Sequence, residues 1–134
     1  MSYLLDTNVC IEFLRGRKPG IAARLATLGR EDVLLCAIVK AELYFGARRS
    51  AQPTQSLTLV RQFAANFKSL PFDDEAAEIY GRLRADLTRG GNLIGPNDLL
   101  IASIALAHRA VLVTHNATEF SRIAELSIED WEAG

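Results

Sequence analysis

Residues 3–8 read Tyr3-Leu4-Leu5-Asp6-Thr7-Asn8, three apolar side chains in unbroken succession, then a carboxylate and two polar residues. A strand with one face in water alternates apolar and polar residues. An unbroken apolar run marks a strand buried on both faces, as in a parallel sheet. Val33-Leu34-Leu35-Cys36 and Val111-Leu112-Val113 have the same character, and Ser69-Leu70-Pro71-Phe72 and Leu126-Ser127-Ile128 are weaker candidates. Segments with helical spacing lie between these runs. Pro53-Thr54 opens a helix expected to reach about Lys68. Asp73-Asp74-Glu75 loads acids onto the first turn of another, where the helix dipole favours them. That helix is expected to end near Arg89, because Gly90-Gly91 can take the left-handed cap. From about Asp98 to His108 the chain is apolar nearly all round, the mark of a helix packed inside. Strands and helices alternating in this way specify an α/β sandwich around a parallel sheet.

The rest of the composition narrows the class. With 134 residues the chain is expected to form one domain. Hydrophobic residues make up 49%, which excludes intrinsic disorder. Fifteen Lys+Arg against sixteen Asp+Glu leave a formal charge of −1, so no global basic field draws the chain to nucleic acid. Any such contact needs a local cluster or a bound cation. The two cysteines, Cys10 and Cys36, lie too far apart for a CxxC pair and read as core thiols in a reducing compartment. The longest apolar stretch, Leu99 to Ala107, is shorter than the ~20 residues of a spanning helix. The expectation is a cytoplasmic protein without a membrane partner.

In a parallel α/β sheet the crevice beyond the carboxyl ends of the strands is where sites form. Four acids fall there: Asp6, Glu42, Asp98 and Glu119. Three of them have ordinary structural explanations. Asp6 could cap the helix that follows, and Asp98 opens a helix where an acid suits the dipole. Asn116-Ala117-Thr118-Glu119 resembles a capping box, with Glu119 reaching back to the cap residue. Glu42 is harder to explain, since helical spacing puts it beside Ile38, Phe45 and Gly46, and a carboxylate in an apolar stripe is costly unless paired or metal-bound. Arg49 lies too far along that helix to be its natural partner. Two carboxylates about 4 Å apart repel by roughly 4 kcal/mol at an effective dielectric of 20. Four at one end of a sheet call for a divalent cation. All-oxygen ligands select Mg²⁺ or Mn²⁺ over zinc, and such a site supports metal-assisted attack of water on a phosphodiester.

The ordered set Leu5-Asp6-Thr7-Asn8, Cys36 to Leu43 with Gly46-Ala47, Gly95-Pro96-Asn97-Asp98 and Val113 to Phe120 resembles a PIN-domain ribonuclease. More narrowly it resembles the VapC toxins of type II toxin–antitoxin systems, over essentially the whole chain through Glu129-Asp130-Trp131. The resemblance implies a PIN-like three-layer sandwich, a single domain over 1–134 with a central parallel sheet of about five strands flanked by helices. It implies Mg²⁺-dependent RNA cleavage, with Asp6 and Asp98 as metal ligands and Glu42 completing the site or orienting water. The family's fourth acid is more often Asp, and Glu119 stands there. Thr7, Thr114 and Asn116 would support the pocket. The resemblance also implies a homodimer, held inactive by a VapB-like antitoxin that alone contacts operator DNA. The Asp6-Thr7-Asn8-Val9-Cys10-Ile11 opening resembles enteric-type toxins that cut the anticodon loop of initiator tRNA, so tRNA is the expected substrate class. The other reading within this family is a catalytically weak domain serving antitoxin binding and autorepression.

Other candidates carry less. Arg48-Arg49, Arg82, Arg84 and Arg89 could meet RNA phosphates or the antitoxin, or form solvated helix faces. His108 suits a helix C-terminus, and His115 lies beside the acids, where a substrate contact is open to it. Trp131 and Phe120 read as packing anchors. A dehalogenase-type phosphatase would need an acid where Asn8 stands and a later lysine. A receiver domain would need an acidic pair after the first strand. Neither pattern is present.

Overall fold

A computed structural model describes residues 1–132. Five strands form one sheet: β1 (Tyr3–Leu5), β2 (Val33–Cys36), β3 (Lys68–Leu70), β4 (Val111–Val113) and β5 (Ile128–Glu129). Their spatial order is β3-β2-β1-β4-β5, with every pairing parallel. Leu4 lies opposite Leu34 on one side and Leu112 on the other, so β1 is central and buried throughout. The unbroken apolar runs at Tyr3, Val33 and Val111 thus mark the three inner strands. The weaker candidates are the edges, displaced by a residue or two from where the sequence suggests them.

Among the described residues seven helices flank the sheet and complete a three-layer sandwich. They are α1 (Thr7–Arg15), α2 (Pro19–Ala26), α3 (Ala37–Arg48), α4 (Pro53–Ala64), α5 (Asp74–Gly90), α6 (Pro96–Ala107) and α7 (Ala117–Phe120). None is long and apolar enough to cross a membrane. Two boundaries differ from expectation. Helix α4 stops at Ala64, because the Asn66 amide donates to the Gln62 and Phe63 carbonyls and closes the last turn, freeing Lys68 for β3. Helix α6 begins at Pro96, whose fixed φ and missing N–H suit the first helical position. Helix α5 ends as expected, with Gly91 at φ 70°.

After β1 the chain builds outward through β2 and β3, then returns to place β4 on the other side of β1. The reversal leaves a crevice at the carboxyl ends of β1 and β4, where α/β sheets form their sites. The Asp6 N–H donates to the Val113 carbonyl at 2.9 Å, which carries the pairing to the crevice floor. Helix α6 enters there, with Leu99, Ile101, Ala102, Ile104 and Ala105 all buried. At the far edge Trp131 is buried, with its ring 5.5 Å from that of Tyr3 and the Arg24 guanidinium over both.

Candidate active site

Asp6 caps α1 and sits at the bottom of the crevice, only 5% exposed. Both its oxygens are engaged: Oδ1 accepts from the Thr7 N–H and Oδ2 from the Thr114 hydroxyl, each at 2.8 Å. Burial pushes its carboxyl above the ordinary value against these two bonds, and the Glu42 and Glu119 charges push the same way. The capping role is therefore real, and the residue is also part of an acidic cluster.

Glu42 is half-buried on α3. Its Oε1 accepts from the Thr7 hydroxyl and its Oε2 from the Asn97 amide at 3.2 Å. The apolar stripe expected around it is not core: Phe45 is 62% exposed, and the helix buries Val39, Leu43 and Ala47 instead. Donors on α1 and α6 hold Glu42 at the crevice rim.

Glu119 accepts from the Gly95 N–H through Oε1 at 2.7 Å and from the Asn116 side-chain amide through Oε2 at 3.0 Å. The capping box expected here does not form. The Asn116 N–H goes to the Thr114 hydroxyl at 3.0 Å, and no side chain caps the short α7. The Gly95 N–H and then the Asn116 amide hold the Glu119 carboxyl below its usual value, with Arg122 adding a smaller attraction.

Asp98 accepts no hydrogen bond among the described residues, alone of the four. Burial, then the charges of Asp6, Glu119 and Glu42 in that order, push its carboxyl up to about 6. A Cβ placed on Gly95 would stand 3.6 Å from Glu119 Oε1 and 3.9 Å from Asp98 Oδ2, so these two carboxylates open onto one point. The four acids therefore share one crevice and feel one another's charge, and no Lys or Arg pairs with any of them among the described residues.

Among the described residues no group of three or more His, Cys, Asp or Glu side chains is arranged to enclose a metal ion. Hydrogen bonds hold Asp6, Glu42 and Glu119 in place while Asp98 stands open. That donor set fits Mg²⁺, which keeps several waters and takes one or two carboxylates directly. It does not fit zinc, for the two cysteines are buried as free thiols and the one nearby histidine is engaged elsewhere.

Thr7 and Thr114 each bridge two groups of the network, and Asn116 steadies Glu119. Sequence reasoning passed over Asn97 and the Gly95 N–H, although both lie in the quoted Gly95-Pro96-Asn97-Asp98 motif. Their signal was adjacency to Asp98. The arginines are largely occupied on the surface. Arg82 makes two bonds to Glu125 at 2.9 and 3.0 Å, Arg89 pairs with Asp86, Arg84 lies over the Tyr80 ring, and Arg49 lies over Phe45. His108 ends α6, 3.7 Å from Asp73, and is remote from the four acids in the fold. His115 Nδ1 meets Asp130 Oδ2 at 2.9 Å.

A family model described as "PIN domain" matches residues 3–126. Ribonuclease VapC2 of Rickettsia felis is 36% identical over 133 residues, covering 98% of this chain and 99% of that protein. The tRNA(fMet)-specific endonuclease VapC of Salmonella typhimurium is 36% identical over 131 residues, 98% of each. Among solved structures, VapBC2 from Rickettsia felis, bound to a DNA fragment from its promoter, matches with a TM-score of 0.92 and 36% identity. That match covers 98% of this chain and 99% of the other.

Proposed function

The chain belongs to the PIN-domain family, among the VapC ribonucleases, and from that premise we propose that its acidic crevice hydrolyses RNA phosphodiesters with Mg²⁺. The observation that carries this reading is Asp98, a carboxylate that accepts no hydrogen bond among the described residues and is pushed up to about 6 by burial and three neighbouring acids. A cation bound there would offset the repulsion among the four acids. Asp98 and Asp6 would hold the ion directly, with Glu42 and Glu119 acting through its waters, and the whole of 1–134 serves as one PIN domain. The ion, Mg²⁺ or Mn²⁺, supplies counter-charge for the acids and Lewis-acid stabilisation for the phosphodiester. The chain's own residues do the positioning. Thr7 ties Asp6 to Glu42, Thr114 ties Asp6 to the Asn116 backbone, and the Gly95 N–H fixes Glu119. Glu42, held at the rim by Thr7 and Asn97, would orient the attacking water.

The substrate we infer is tRNA, in particular the anticodon loop of initiator tRNA, which places the activity in the cytoplasm. The tRNA(fMet) specificity of the Salmonella typhimurium relative, 36% identical, supports initiator tRNA as the substrate. We further propose a homodimer neutralised by a VapB-like antitoxin that alone contacts operator DNA, and the likeness to the DNA-bound VapBC2 complex supports the antitoxin as partner. An antitoxin-binding domain without turnover is the weaker reading, because all four acids are present and gathered. The test is to incubate the purified protein with total tRNA and Mg²⁺ and to map the fragment ends. Cuts confined to the anticodon loop of the initiator species are expected. Cuts scattered over all tRNAs would overturn the substrate assignment.

A further inference from the structure

A cavity of about 400 Å³ opens beside Asp6 with neither Glu42 nor Asp98 in its lining, and no step above uses it. Asn8, Asn116 and His115 line it with polar side chains. Two of its three acids are paired, Glu12 with Arg17 at 2.9 Å and Glu132 with Lys18 at 3.5 Å, and Asp6 has no cation beside it among the described residues. Its lining lysine is thus already engaged and leaves no free cation in the lining to hold a phosphate. A neutral polar group such as a ribose suits it, and an RNA chain bound with one phosphate at the acids must put a nucleoside beside them.

His115 is the side chain equipped to read that sugar. A carboxylate only accepts, so the 2.9 Å contact with Asp130 places the imidazole proton on Nδ1. In the neutral ring Nε2 is then an acceptor, and it has no partner among the described residues. Asp130 is itself fixed, because its Oδ1 accepts the Glu132 N–H at 2.9 Å and its neighbour Trp131 is buried. A ribose 2′-hydroxyl is a donor that deoxyribose lacks, and an acceptor held at the sugar distinguishes the two. We propose that His115, oriented by Asp130, accepts a hydrogen bond from the 2′-hydroxyl of the nucleotide flanking the scissile phosphate and so makes this site selective for RNA. The inference rests on the RNA-hydrolysing reading of the acidic crevice and adds a sugar-reading residue to it.

The test compares wild type, His115→Ala and Asp130→Asn on synthetic anticodon stem-loops, all-ribose or with 2′-deoxy at either nucleotide flanking the cut. Wild type is expected to favour ribose by about five- to tenfold at one of the two positions, the worth of one hydrogen bond. His115→Ala should cost about as much as removing that hydroxyl, and the two changes together no more than either alone. Asp130→Asn keeps an acceptor for the Glu132 N–H and offers His115 an amide donor, which moves the ring proton to Nε2. It should erase the ribose preference with His115 still in place. Equal losses on ribose and deoxyribose strands in His115→Ala would overturn the assignment, as would a wild type indifferent to both positions. No cleavage of the all-ribose strand by wild type would overturn the nuclease reading, and this one with it.

Discussion

The Thr114 hydroxyl donates to Asp6 Oδ2 at 2.8 Å across 108 residues of sequence, joining the ends of β4 and β1 inside the buried floor of the crevice. The same hydroxyl oxygen accepts the Asn116 N–H. Thr114→Val keeps the shape and removes both bonds, so we expect a loss of about 1–3 kcal/mol of stability at neutral pH, with Thr114→Ser largely intact. Asp6 already ionises at higher pH in the folded chain than its ordinary 3.8, so its charge costs stability at neutral pH and not at pH 4. The variant raises that carboxyl further, and the deficit should shrink on acidification. Urea unfolding of the three proteins at pH 7 and pH 4 measures it, and an equal deficit at both would contradict the account.

Asp98 gives the second prediction. Its folded value of about 6 lies above its ordinary 3.8, so the folded metal-free chain binds the proton more tightly than the unfolded chain between those values. Stability from this group falls as pH rises from about 4 to about 6, and the cost is complete at pH 7. Asp98→Asn should therefore stabilise the metal-free protein by about 1–2 kcal/mol at pH 7, after allowance for its partial exposure, and by little near pH 4. Thermal unfolding in EDTA reads the difference. A variant less stable than wild type at pH 7 would show that the four acids do not repel.

Glu119 is braced by the Gly95 N–H and the Asn116 amide, whereas Asp98 is unbraced. If Glu119 acts through water, Glu119→Ala should lower cleavage by about 10–100-fold, in the range of residues that steer a metal site from outside its ligand set. Asp98→Asn should cost more. Single-turnover rates at saturating Mg²⁺ compare them, and an equal or larger loss from Glu119→Ala would reverse the ranking.

Trp131 packs on Tyr3 at 5.5 Å beneath the Arg24 guanidinium, and its Nε1–H donates to Glu129 at 2.9 Å. Trp131→Ala should cost about 3–5 kcal/mol, and Trp131→Phe distinctly less because a ring still fills the space. Urea midpoints check this, and a cost below 1 kcal/mol would show that the residue does not anchor the last strand.

The inner strands were legible residue by residue, because burial on both faces writes unbroken apolar runs at Tyr3, Val33 and Val111. The convergence of Asp6, Glu42, Asp98 and Glu119 was legible too, since acids at strand ends of a parallel sheet meet at one edge. What spacing cannot show is which donors hold them. The Gly95 N–H reaches Glu119 across 24 residues and Asn97 reaches Glu42 across 55, contacts set by how the start of α6 and the residue before it lie over the crevice. The capping box failed for a related reason: the Asn116 N–H it would use goes to the Thr114 hydroxyl, while Glu119 is turned to Gly95 and the Asn116 amide. Glu42 was singled out through a stripe that is only partly buried, with Ile38 against the core and Phe45 exposed, though the residue does stand at the crevice. Arg82, a surface candidate for RNA, has its guanidinium committed to Glu125, a partner 43 residues away that no local pattern indicates.

The most direct measurement is cleavage of bulk tRNA by wild type with Mg²⁺, by wild type with EDTA, and by Asp98→Asn with Mg²⁺, the two proteins purified identically. Discrete fragments from the first reaction and none from the other two are predicted. Fragments that persist under chelation, or that Asp98→Asn releases at the wild-type rate, would contradict a metal-dependent site built on the four acids.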